Sequence, residues 1–97
     1  MTAHMVSMIY SRDNSWIAEY SANVPAIIAK HGGSYTFVSR GKVEVAEGDL
    51  PVPSGVGTFT FPSRQAIHAF LESEEYRPYL ELRQKYSTNQ ILMFDGR

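Results

Sequence analysis

The stretch Gly57-Thr58-Phe59-Thr60-Phe61 alternates in steps of two and then stops at Pro62. Successive side chains of a β-strand point to opposite faces, so both phenylalanines lie on one side and both threonines on the other. Ser63 follows as a helix N-cap, and Ala66, Ile67, Phe70 and Leu71 then recur at helical spacing. A strand with one apolar face that runs directly into a helix with one apolar stripe has few ways to fold. The helix must turn back over the sheet so that each apolar surface covers the other.

The rest of the chain repeats this grammar. Met5 to Tyr10 is short, apolar and β-capable, and Asn14 or Ser15 is placed to cap a helix starting at Trp16. Trp16, Tyr20, Ile27 and Ile28 fall on one face of that helix, and Pro25 inside it predicts a kink or a restart near Val24. His31-Gly32-Gly33 predicts its end, because a glycine just past the last turn can adopt the left-handed conformation of a C-cap. Tyr35 to Arg40 reads as a strand. Val43 to Ala46 continues the alternation beyond Gly41, as one bent strand or a tight hairpin. A loop with two prolines, Gly48 to Gly55, precedes the Thr-Phe strand. Ser73 caps a further helix running to about Tyr86, and Gln90 to Phe94 forms a last strand.

The order is βαββαβ, the ferredoxin-like split βαβ arrangement, with a four-stranded antiparallel sheet and helices on one face. Residues 1–97 are expected to form this single α+β domain. The uncovered sheet face carries apolar residues on either parity of its strands, which predicts a sheet-to-sheet homodimer.

Composition narrows the chemistry. A net charge of −1 with no basic block argues against a nucleic-acid partner. The chain has no cysteine, which excludes disulfides, thiol nucleophiles and cysteine-held metals. No apolar run approaches membrane-spanning length, and the N-terminus lacks signal-peptide character, so a cytoplasmic location is expected. No nucleotide-binding glycine loop, GxSxG or HExxH spacing occurs, so neither a cofactor nor a metal is expected.

Val24-Pro25, His31-Gly32-Gly33-Ser34-Tyr35, Arg40-Gly41, Val43-Glu44-Val45 with Glu47-Gly48, Phe61-Pro62-Ser63, Glu75-Tyr76 and Leu82-Arg83 occur in order at compatible spacings. Together they resemble the DUF1330 family, a domain of unknown function, within the dimeric α/β-barrel superfamily. The resemblance implies a ferredoxin-like dimer. It also brings in a superfamily that includes cofactor-free monooxygenases, isomerases and haem-binding proteins. The chain departs from the family pattern at Leu50, Pro53-Ser54-Gly55, Thr60 and Glu74, where aromatic, charged or proline residues are common.

The expected function is binding of a small anionic or carbonyl metabolite in a sheet–helix pocket, in a cofactor-free isomerase or monooxygenase-like enzyme. A non-enzymatic accessory or stress-related binding dimer is the alternative. His31 and Glu47 are the candidate proton carriers, since both titrate usefully when placed at a cavity. Arg40, Tyr76 and Arg83 are the candidate substrate-binding residues. Tyr76 and Arg83 lie seven apart, close to two helical turns, and so can share a face. Tyr10, Trp16, Tyr20 and Tyr35 read as core or interface.

Overall fold

A computed structural model describes residues 2–96. The elements are β1 (Thr2–Ser11), α1 (Ile17–Lys30), β2 (Ser34–Val38), β3 (Gly55–Phe61), α2 (Arg64–Leu71), α3 (Arg77–Tyr86) and β4 (Ser87–Gly96). The strands form one antiparallel sheet in the order β2-β3-β1-β4, with a register irregularity between Tyr35 and Phe37. Buried side chains alternate along the two central strands: Ala3, Met5 and Ser7 on β1, and Gly57, Phe59 and Phe61 on β3. That face meets the helices, and the fold class is the expected ferredoxin-like one.

Phe59 and Phe61 do share the buried face. They pack with Ala3, Met5, Val24, Ile28, Ile67, Phe70 and Tyr76 in one core. Each fully buried side chain of this size contributes roughly 1.5–3 kcal/mol. Phe70 links the core's parts, its ring 5.8 Å from that of Phe61 and 4.3 Å from that of Tyr76.

The helix ends follow from local chemistry. Gly33 N–H donates to the Ile28 carbonyl and Gly32 N–H to that of Ala29, with Gly32 at φ 78°. This is the Schellman arrangement, and it makes His31-Gly32-Gly33 the stop of α1. Ser63 accepts from Ala66 N–H at 3.1 Å, the expected cap of α2. Ser73 accepts from Tyr76 N–H at 3.3 Å and so sets up α3.

Four local expectations are corrected. Neither Asn14 nor Ser15 caps α1 with its side chain; Asp13 Oδ1 instead accepts from Ser15 N–H at 2.7 Å, and the Asn14 carbonyl receives Ile17 N–H. The α1 helix runs unbroken from Ile17 to Lys30 through Pro25, so the proline does not restart it near Val24. Val43 to Ala46 form no strand among the described residues, because no neighbouring strand of the chain reaches them. Both β1 and β4 are longer than expected at ten residues each, since pairing along their full length satisfies backbone groups that side-chain patterning does not report.

The other sheet face is open. Leu92 and Phe94 on β4 are 59% and 46% exposed, and Phe37 on β2 is 74% exposed. Among the described residues, no helix is long and apolar enough to cross a membrane.

Candidate functional site

The helix-facing side of the sheet is filled at one end and hollow at the other. Along β1 the residues run Ala3, Met5, Ser7, Ile9; their β3 partners are Phe61, Phe59, Gly57 and Gly55. Phenylalanines fill the first half. In the second half Ser7 sits opposite Gly57, and the side chains become too small to reach the helices. A cavity of about 580 Å³ results. Tyr35 and Phe59 flank it from the sheet, Trp16 from the position just before α1, Tyr20 from α1, Tyr76 and Arg83 from the α3 region, and Asn89 from β4.

The walls are mostly apolar, and the polar groups converge. Tyr20 and Tyr76 share a hydrogen bond of 2.5 Å between their hydroxyls. Arg83 Nη1 donates to the Tyr76 hydroxyl at 3.2 Å. The seven-residue spacing on α3 makes that contact, with Tyr76 at the helix start and Arg83 two turns on. Behind Arg83, its own carbonyl accepts from Ser87 Oγ at 2.6 Å, and Asn89 Nδ2 donates to Ser87 Oγ at 2.9 Å. Ser7 is 6% exposed and lines the cavity without a side-chain hydrogen bond among the described residues.

Two phenols carry two hydroxyl protons. The Tyr20–Tyr76 bond uses one of them. Arg83 donates to this pair rather than accepting from it. One phenolic proton is therefore left without an acceptor among the described residues. Burial pushes the Tyr20 and Tyr76 phenols above the ordinary tyrosine range; Arg83 opposes the rise at both. Burial also pushes Tyr35 up to about 12, with the neighbouring Tyr76 adding to it. The phenols are held neutral, as hydrogen-bond donors, across the physiological range.

Arg83 is the one lining residue with a formal charge at neutral pH, and no carboxylate pairs with it among the described residues. It is 8% exposed, and its Nε is buried without a hydrogen-bond partner, as is Asn89 Oδ1.

The five residues singled out from sequence separate into two groups. Tyr76 and Arg83 meet in the cavity wall. His31, Arg40 and Glu47 are not among its lining residues. His31 caps α1 with its ring 6.1 Å from that of Phe70, on the filled side of the core. Arg40 and Glu47 are exposed on the irregular segment between β2 and β3, and no ion pair joins them among the described residues. Ser39 and Gly41, either side of Arg40, do line the cavity mouth.

Tyr20 and Tyr35 read from sequence as core or interface rather than as site residues, and Ser7 and Asn89 are not candidates there. One signal was present. Gly55 and Gly57 share the parity of Phe59 and Phe61, so one strand face changes from no side chain to large rings within seven residues. That is a cavity floor written in sequence.

Comparison with known proteins agrees with the architecture. A protein of unknown function from Rhodopseudomonas palustris superposes with a TM-score of 0.79 at 15% identity, covering 99% of this chain and 82% of its own. The cofactor-independent oxygenase SnoaB from Streptomyces nogalater gives 0.70 at 15% identity, covering 99% and 93%. A dimeric ferredoxin-like protein of unknown function from Jannaschia sp. gives 0.74 at 11% identity, covering 99% and 100%. At such identities the likeness is one of fold. No curated protein matches the sequence. The profile of one family, described as a domain of unknown function, matches residues 2–97, and the chain belongs to that family, DUF1330.

Proposed function

We propose that the protein is a homodimer that binds a small, largely apolar metabolite in the sheet–helix cavity, with an oxygen atom of the ligand at the Tyr20–Tyr76–Arg83 cluster. The phenolic proton without a protein acceptor carries this reading. A ligand carbonyl or oxyanion in the cavity would accept the phenolic proton that the Tyr20–Tyr76 bond does not use. The cavity lies within the usual size range of small-molecule sites, and its few converging polar groups on apolar walls match their chemistry. At ~30 Å³ per water-sized group, it has room for roughly fifteen to twenty non-hydrogen atoms.

The lining contains no carboxylate and no imidazole among the described residues. This supports ligand binding, or chemistry on a substrate that is already acidic, over proton transfer by His31 or Glu47. If turnover occurs, Tyr20 and Tyr76 are the groups in place to move a proton. The homodimer rests on the open apolar sheet face and on the dimeric relative from Jannaschia sp..

A thermal-shift screen against small carboxylates, ketones, lactones and phenols tests the reading. A ligand at about 100 times its Kd should stabilise by ~2.7 kcal/mol. Ser7→Leu, which fills the cavity floor, should abolish the shift. Hits that survive Ser7→Leu unchanged would place binding elsewhere and refute the proposal.

A further inference from the structure

Building on the reading that this cavity takes a small molecule, we infer that its ligand is a monoanion, a carboxylate or an ionised enol or phenol on an apolar body, with Arg83 as its counter-ion.

The inference rests on a charge balance. A guanidinium has five N–H donors. Arg83 uses one, toward the neutral hydroxyl of Tyr76. No aspartate or glutamate pairs with it among the described residues, although the chain has ten acidic residues. The side chain is 8% exposed, so water screens it weakly. A buried charge is ordinarily paired. Two surface cations find acids, Lys30 with Glu75 at 2.6 Å and Arg64 with Asp95 at 3.3 Å, and exposed cations without an ion pair, such as Arg40, are solvated by water, a recourse that a residue 8% exposed largely lacks. Arg83 is the most buried cation among the described residues, and no counter-charge stands against it there.

Its surroundings suit an anion. Tyr76 and its partner Tyr20 stand by it as neutral phenols, which donate hydrogen bonds and bring no repelling charge, and Tyr35 lines the same cavity. The apolar walls discriminate against small inorganic anions, which have no apolar surface to bury. An oxyanion here would accept both the charge-assisted donation of Arg83 and the free phenolic proton.

Two isosteric probes decide the matter. 2-Naphthoate carries one negative charge and 2-naphthamide none, while shape and size are the same. Calorimetric titration of the wild-type protein should show naphthoate binding on the order of tenfold to hundredfold more tightly, the range expected for a charge-assisted contact. Arg83→Met should remove that preference, weakening naphthoate binding at least about tenfold more than naphthamide binding. Arg83→Lys should keep part of it and covers the case in which the methionine variant fails to fold. Ser7→Leu should abolish binding of both probes. Equal affinity for the two probes, or a preference that persists in Arg83→Met, would overturn the anion inference and leave the cavity reading intact. Failure of both probes to bind, or binding unaffected by Ser7→Leu, would overturn the cavity reading and the inference with it.

Discussion

Replacing Arg83 by methionine should leave the ligand-free protein as stable as the wild type, or more stable. Burying an ion without a counter-charge costs several kcal/mol even after relaxation. Against this stands one hydrogen bond of 3.2 Å to Tyr76, and bonds to charged groups contribute about 1.5–3 kcal/mol. Nε is buried without a partner and adds nothing favourable. Methionine keeps most of the apolar stem that packs beneath the guanidinium and fits irregular space. Tyr76 retains its bond to Tyr20 at 2.5 Å, so the substitution strands no buried hydroxyl. The expected balance is a gain of about 0–2 kcal/mol. At ~4–8 °C per kcal/mol for a domain of this size, a gain of about 1 kcal/mol raises Tm by the same 4–8 °C. Urea unfolding followed by circular dichroism, with an unchanged m-value, is the assay. A loss of more than about 2 kcal/mol would refute the reasoning. It would mean that Arg83 is a structural strut whose partners outweigh its desolvation, rather than a charge held for a ligand.

Other predictions follow from the same geometry. Tyr20, Tyr35 and Tyr76 have raised pKa values in the folded protein, so their contribution to stability is complete below about pH 10 and is lost as pH rises through their folded values. Ultraviolet titration should show these three phenols ionising late, Tyr35 near 12, and Tyr→Phe variants should remove the late phase; early ionisation of all three would sink the assignment. Gly33→Ala should destabilise by about 1–3 kcal/mol, because its Cβ would lie 2.5 Å from the Phe61 ring; a neutral result in thermal melts would mean that the core shifts freely there. Ser63→Ala should cost ~1 kcal/mol through loss of the bond to Ala66 N–H, and Ser63→Asp should restore it. Leu92→Lys, on the open face of β4, should yield monomers by analytical ultracentrifugation; an unchanged assembly state would exclude that face as the interface.

Sequence patterning determined the element order because each element reports its own period. Threonine–phenylalanine alternation, the Ser63 cap and the glycine stop after His31 are local effects, and local physics decides them. The same information cannot tell whether an alternating segment finds a partner. Val43 to Ala46 alternates as Tyr35 to Val38 does, yet only the latter lies beside a strand. Pro25 likewise predicts a kink or a restart near Val24 by local rules, and α1 nevertheless continues through it to Lys30.

The site divides in the same way. The Tyr76–Arg83 pair was legible because both sit on one helical face, seven residues apart. Tyr20 joins them across 56 positions of chain, a contact that exists only once α1 and α3 pack together. His31, Arg40 and Glu47 carry suggestive chemistry in sequence, but a residue's chemistry does not specify which cavity it faces. Ser7, Gly55 and Gly57 show the reverse, since they carry little chemistry and their placement opposite one another hollows the core. Short-range periodicity thus determined the fold of this protein, while the packing of distant segments decided where its cavity lies and buried Arg83 with no counter-charge among the described residues.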